Sequence, residues 1–364
     1  MNKFAFIIHP LELEDFHRKF SWAEKVPDSI LERFTRILPP VKASHITGIK
    51  SICGKEIEGF FVGVTLTSKQ MLSLPEDKVI RKIIKAGKLA EEMGAEIIGL
   101  GAFTSVVGDK GYTIAKELDI PVTTGNSYTV ATAIEGTKLA ANKMACDLKK
   151  STLTVIGATG SIGRAVSLMM SNDVSKIILF ARNERKLREL SSEIHDIAPC
   201  LDIVITRDII EAVKESEIIV SASSAAETLF DPSLLLPGAI VCDVARPRDV
   251  ALQVGRLRED VLVIEGGIVK VPGSVNFNFN FGYPPGTAYA CMAETMMLAL
   301  EGKFEDYSLG SIIEIEKVYD TIRMARKNGF RLAGLRSFER ELTDEQINRI
   351  RKNAENKILA STIY

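Results

Sequence analysis

Cysteine is sparse in this sequence and poorly placed for bridging. The five cysteines, at 53, 146, 200, 242 and 291, are scattered, odd in number and never spaced as CxxC. That pattern argues against a disulfide framework and against a zinc site. The four histidines, His9, His17, His45 and His195, are as widely dispersed, so no metal is expected. Long apolar runs are missing: none approaches the ~20 residues that cross a bilayer. The opening MNKFAFIIHPLELED has an apolar stretch shorter than a secretion signal needs, and acids follow at once. Charge of one sign is also lacking. Lys and Arg number 46 against 47 Asp and Glu, for a net charge of −1. With no helix-turn-helix or zinc-finger spacing either, nucleic acid is not an expected partner. Internal repeats and low-complexity segments are absent. The expectation is a cytoplasmic protein that is not integral to a membrane.

What is present is core material. Hydrophobic residues make up 46% and charged residues 26% of 364, enough for two domains of ordinary size. FAFIIH reads as a short buried strand ending at His9-Pro10. Residues 44–66 alternate as a hairpin turning near Gly54-Lys55. Residues 76–93 have helical period, with Ile80, Ile83, Ile84 and Met93 toward the core. The same helix sets Lys78, Arg81, Lys82, Lys85 and Lys88 on one face. That face is either a dock for an acidic partner or a solvated surface. EIIGLG at 96–101 and IPVTT at 120–124 read as strands, and GNSYT leads into a helix reaching about Lys149. From 152 onward strands and helices alternate more clearly: TLTVIG, KIILFA, LDIVIT, EIIVSAS, AIVCDVA and VLVIEGG. This is the series of a Rossmann-type doubly wound parallel sheet. The expected divisions are an N-terminal α/β substrate domain at 1–149, a dinucleotide domain at 150–285 with a cleft between the two, and C-terminal helices at 286–364 packing back on the first domain. Thr343 and Gln346 have capping-box spacing at the start of the last helix.

The strongest local motif is VIGATGSIGRAV. Gly157, Gly160 and Gly163 follow a strand and open a helix. Ala158, Thr159, Ser161 and Ile162 complete the turn, whose backbone can cradle a pyrophosphate. An NAD site commonly has an acid at the tip of the second strand, to accept from the ribose 2′-hydroxyl. Here the strand ends FARNERK. Arg182, with Asn183 and Arg185 nearby, suits a 2′-phosphate instead, so NADPH is the expected cofactor. Later strand ends bring Ser221-Ala222-Ser223 and Glu265-Gly266-Gly267. Their small residues either let a nicotinamide ring approach or serve as ordinary turns.

GTAYACMAETMMLALEG, from Gly286 to Gly302, reads as a helix with a cysteine near its start. With Thr287 as N-cap, Cys291 closes the first turn, beside unpaired N–H groups and the positive end of the helix dipole. That setting favours a thiolate able to attack a thioester and hold an acyl group for reduction. Cysteine is also good core material, and spacing alone favours that reading. In TTGNSYT, Thr124, Asn126 and Ser127 are candidates for an oxyanion hole, or else they cap the helix that follows. Phe103-Thr104-Ser105 either lines an acyl pocket or forms a tight connection. Glu294, one turn on from Cys291, is an acid–base candidate or a buried partner.

Several blocks now stand in order: LGAFTSVV, TTGNSYT, VIGATGSIGRAV, FARNERKL, AYACMAETMMLALEG and IEIEKVYDTIRMARKNGF. Together with the opening IIHPLELEDF they resemble the long-chain acyl-[acyl-carrier-protein] reductases of the cyanobacterial aldehyde and alkane pathway. The resemblance spans nearly the whole chain. The segment VPGSVNFNFNFGYPPG and the tail beyond Arg331 depart from it. It implies NADPH-dependent reduction of fatty acyl thioesters, on acyl carrier protein or coenzyme A, to fatty aldehydes. It implies that Cys291 carries the acyl group, and that an aldehyde-consuming enzyme acts downstream. It also implies a shikimate-dehydrogenase-like pairing of an N-terminal α/β domain with a Rossmann domain. Two other readings compete. One is a shikimate-type NADP-dependent alcohol or ketone dehydrogenase without covalent catalysis, though no Ser-x-Ser loop stands near the N-terminus. The other is a non-catalytic NADPH-binding module.

Overall fold

The structure is a computed structural model. It describes the chain except residues 15, 17–25, 224–229, 245–250, 281, 339 and 363–364. His17, and single positions of the blocks IIHPLELEDF, AIVCDVA and VPGSVNFNFNFGYPPG, therefore lie outside the described residues.

The chain divides into two compact α/β units. The first comprises Met1–Asn126, Lys270–Ser311 and Tyr319–Arg331. The second comprises Ser127–Val269, Ile312–Val318 and Leu332–Tyr364. These divisions differ from the expected boundaries at 149 and 285, for reasons visible in each unit.

The first unit is built on strands β1 (Asn2–Ile8), β2 (Val41–Lys50), β3 (Glu56–Gly63), β4 (Ile97–Leu100) and β5 (Val122–Thr123). The order is Gly273–Asn276, β2, β3, β1, β4, β5. β1 runs parallel to β3 and β4, and β4 to β5. β2 and β3 form the antiparallel hairpin expected from their alternation, with Gly54 at φ +85° in the turn. The strand Gly273–Asn276 joins the edge beside β2, which draws residues after 270 into this unit. The following phenylalanines continue the attachment: the rings of Phe277 and Phe279 lie 5.9 and 5.6 Å from that of Phe61. The helix Glu76–Glu92 buries Val79, Ile83, Ala86 and Ala90 against the sheet, the 3–4 spacing of an amphipathic helix. Its basic face is not uniformly free. Lys82 turns inward and donates to the carbonyls of Thr35 (3.2 Å) and Leu38 (2.7 Å) and to the Thr65 hydroxyl (3.1 Å).

The second unit is a six-stranded parallel sheet of β6 (Thr152–Ile156), β7 (Lys176–Phe180), β8 (Asp202–Thr206), β9 (Ile218–Ser221), β10 (Ile240–Asp243) and β11 (Leu262–Glu265). Its order, β8-β7-β6-β9-β10-β11, reverses direction between β6 and β9. That is the Rossmann arrangement, and the reversal is where such sheets bind dinucleotides. The helix Asn126–Lys143 packs here, because Ala133 and Gly136 lie against Cys242 and Ile264 of the sheet. It stops short of Lys149. Ala145 adopts φ +55°, and the Cys146 N–H bonds back to the Ala141 carbonyl, a left-handed helix stop. The last helix, Asp344–Thr362, also packs on the second unit, contrary to the expected return to the first. Asn353 donates to the Glu259 carbonyl, and Lys357 pairs with Asp260 at 3.2 Å. Its capping box is formed as spaced: Gln346 N–H to Thr343 Oγ1 at 3.2 Å, and Thr343 N–H to Gln346 Oε1 at 2.9 Å.

Candidate functional site

The helix carrying the cysteine spans Ala290–Glu301 and packs on β1 and β4 within the first unit. Thr287 is not its N-cap. Thr287–Tyr289 form a short strand, and Tyr289 occupies the cap without a side-chain capping bond. Cys291 is thus the second helical residue, closer to the helix end than its spacing suggested. From Ala290 to Leu300 every residue is buried except Cys291. A helix apolar on all sides is a core helix. Cys291 is the one partly exposed residue between Ala290 and Leu300, beside N–H groups that the helix leaves without an intrahelical acceptor. Cys242, by contrast, is fully buried. None of the five cysteines, all of them described, is in a disulfide.

The TTGN turn packs against Cys291. Gly125 has φ +72°, and a Cβ placed on it would stand 2.2 Å from Cys291 Cα and 2.3 Å from its Cβ. Only glycine satisfies both constraints. The rest of the turn is tied down from below. Glu294 is wholly buried, and its Oε1 accepts from the hydroxyls of Thr123 (2.6 Å) and Ser308 (2.7 Å). Thr123 Oγ1 in turn accepts the Gly125 N–H at 3.1 Å. Burial, then the Glu294 carboxylate, push the Tyr307 phenol above its usual range.

The other candidates fall out as follows. Thr124 spends its hydroxyl on the Ser308 carbonyl. Ser127 is buried in the first turn of the helix that starts at Asn126, while Asn126 itself is half-buried at the helix start. Phe103-Thr104-Ser105 form a 3₁₀ turn in which Thr104 and Ser105 donate to the carbonyls of Gly101 and Ala102. Both hydroxyls are committed to a tight connection. His9, at the end of β1, was not singled out by the sequence pattern. Its Nε2 accepts the Phe103 N–H at 3.2 Å, which fixes that turn. The clue available in the sequence was only a histidine at a strand's carboxyl end.

In the second unit, the glycine motif forms the turn between β6 and the helix Ser161–Met170. Gly157 has φ +79°, and Gly163 comes so close to it that a Cβ would lie 2.3 Å from the Gly157 carbonyl oxygen. Gly160 caps the helix without a side chain. This leaves the N–H groups of Ser161, Ile162 and Gly163 for an anion. Ala158 is buried, and Thr159 is half-buried in the turn. Arg182 is exposed at the carboxyl end of β7, the strand beside β6. Asn183 accepts from the Lys186 N–H as a helix cap, and Arg185 pairs with Glu189 at 3.8 Å. All three are exposed, and Arg182 stands nearest the tip of the strand. Ser221 ends β9 directly beside β6. Its buried hydroxyl has no hydrogen-bond partner among the described residues, and Ala222 follows half-buried. Gly266 lies against Cys242 and Val244, a packing role, and Gly267 turns at φ +92°. The glycine cradle, the uncapped helix end and the orphaned Ser221 hydroxyl fit a dinucleotide. Among the described residues no cluster of His, Cys, Asp and Glu could hold a metal ion, and no helix is long and apolar enough to cross a membrane.

Comparison with known proteins agrees at the level of class. The family model for shikimate / quinate 5-dehydrogenase matches residues 138–265, which lie inside the second unit. The fold is thus a dehydrogenase-type Rossmann sheet joined in one chain to a second α/β unit. Over 348 residues the chain is 27% identical to a long-chain acyl-[acyl-carrier-protein] reductase of Synechococcus elongatus, covering 90% of this chain and 98% of that protein. It is 28% identical over 360 residues to an aminotransferase PigE of Serratia sp., covering 96% of this chain but only 42% of that protein. Among solved structures, an L-tryptophan dehydrogenase from Nostoc punctiforme aligns over 98% of this chain and 88% of its own, at 12% identity and a TM-score of 0.43.

Proposed function

We propose that this protein reduces long-chain fatty acyl thioesters to fatty aldehydes with NADPH, through an acyl-enzyme on Cys291. The broader class, a nicotinamide-dependent oxidoreductase, rests on the matched dehydrogenase domain and on the reductase similar along its whole length. One observation carries the finer reading. A single cysteine is partly exposed in the first turn of a helix whose residues from Met292 to Leu300 are all buried. The matched dehydrogenase stretch ends at 265 and does not reach that thiol, so it offers no reason to prefer a shikimate-type reaction.

In this reading the Cys291 thiolate attacks the thioester carbonyl, and the carrier's thiol leaves with a proton. The N–H groups at the helix end, and the amide of Asn126 that follows Gly125 in the chain, would stabilise the oxyanion formed during attack. When bound, NADPH would supply the hydride that reduces the acyl group to aldehyde, releasing the Cys291 thiolate. The backbone turn at Gly157–Gly163 would hold the pyrophosphate, with Arg182 at the 2′-phosphate. The acyl group would arrive on acyl carrier protein or coenzyme A, and a reactive aldehyde calls for an enzyme that consumes it.

The test is intact-protein mass after mixing with palmitoyl thioesters of coenzyme A and of acyl carrier protein, without NADPH. Wild type should gain one palmitoyl group and Cys291→Ala none, and added NADPH should clear the adduct. An unmodified wild type on both carriers would remove the covalent mechanism.

A further inference from the structure

The structure assigns Glu294, Thr123 and Ser308 a positioning role: one buried carboxylate oxygen holds the Gly125 turn against Cys291. This rests on the proposed role of Cys291 and replaces acid–base chemistry at Glu294 with a mechanical function. The donors run one way. Thr123 and Ser308 each have a single hydroxyl proton, and each gives it to Glu294 Oε1, at 2.6 and 2.7 Å. With its proton so committed, Thr123 Oγ1 keeps a lone pair for the Gly125 N–H at 3.1 Å. Thr124 extends the lattice by donating to the Ser308 carbonyl. Ser308 itself sits at φ +53°, an uncommon setting for a residue with a side chain, held there by these bonds.

Three segments therefore converge on one oxygen: the end of β5, the turn at Ser308, and the cysteine helix through Glu294. Glu294 lies one helical turn beyond Cys291, so the anchor and the thiol share a rigid element. Gly125 is in van der Waals contact with Cys291. Loosening the anchor frees the turn to move relative to the thiol. Glu294 is fully buried and bonded in this way, so it acts through Gly125 and does not touch substrate.

The test pairs Thr123→Val with Thr123→Ser. Valine is nearly isosteric but neither donates nor accepts, whereas serine does both. In Thr123→Val, kcat for aldehyde formation should fall by about tenfold to a hundredfold, the scale of a small misplacement, with KM for the thioester within about twofold. Thr123→Ser should restore kcat. Independently of any turnover, the rate of Cys291 alkylation by iodoacetamide, followed by peptide mass across pH, should shift at least about threefold in Thr123→Val and return in Thr123→Ser. If Thr123→Val fails to fold, Ser308→Ala carries the same comparison. Wild-type alkylation profiles and unchanged kcat in the valine variant would overturn the positioning role. A wild type that makes no aldehyde, yet shows the alkylation shift, would uphold the anchor and sink the reductase reading instead.

Discussion

At the scale of single residues, the site depends on an absence. Gly125 has no side chain where any Cβ would overlap Cys291 at 2.2–2.3 Å, and its φ of +72° is closed to most other residues. Alanine there carries a backbone cost of about 1–2 kcal/mol. The overlap adds to it, because backbone atoms of the cysteine helix cannot swing away as a flexible side chain would. Gly125→Ala should lower the melting temperature, change Cys291 alkylation, and cut aldehyde formation by about a hundredfold. An alanine variant with wild-type alkylation would mean that the turn and the thiol are not in contact in solution. The residue scale is also where sequence reading was weakest. Thr124 and Ser127 were reasonable oxyanion donors by type, but a hydroxyl's role is set by its nearest acceptor. For Thr124 that acceptor is a carbonyl 184 residues away.

At the scale of elements, Lys82 illustrates how a helix face is divided between partners. Its spacing with Lys78, Arg81, Lys85 and Lys88 suggested one basic surface. The structure turns Lys82 to the Thr35 and Leu38 carbonyls at the end of the helix Asp28–Thr35, which it shares with the Thr65 hydroxyl. Burial, with Lys85 adding repulsion, brings its pKa down from 10.5 to about 8. The sign follows. Between about pH 8 and 10.5 the unfolded chain still holds the proton that the folded chain has lost, so stability contributed by this group rises with pH across that window. Lys82→Met should abolish that rise while lowering stability at neutral pH, because the Thr35 and Leu38 carbonyls then share the single proton of the Thr65 hydroxyl. Urea melts of both proteins at several pH values measure it. A wild-type curve parallel to that of Lys82→Met over the window would contradict the assignment.

At the scale of the whole chain, the Rossmann half was legible and the first half only in outline. β6 through β11 are continuous apolar runs of the length that parallel strands need, and the glycine motif fixes where the first of them ends. The first sheet mixes parallel and antiparallel pairs and recruits Gly273–Asn276 from far along the chain. No local period announces such a partner. The same non-local pairing explains why a boundary at 285 looked natural. The tail beyond Arg331 gives no local hint of its side either, because its attachment combines a few buried residues, such as Ile347 and Ala354, with specific ion pairs. Arg258 grips Asp260 with two bonds of 2.8 and 2.7 Å and also donates to the Pro232 and Leu235 carbonyls, while Lys357 of the last helix reaches the same carboxylate. Arg258 and Asp260 are both buried, so removing either leaves a buried charge with only its weaker partners, at a cost below the ~3–5 kcal/mol of breaking a fully isolated buried pair. The Arg258 bond, outweighing desolvation, holds the Asp260 pKa below its usual value. Its stabilisation is then complete above the unfolded value of about 3.9 and is lost as pH falls through the folded one. Asp260→Asn should therefore melt well below wild type at pH 7, with the gap closing as the pH drops below about 4. A gap that stays constant into acid would mean that the carboxylate charge is not what ties the last helix to this unit.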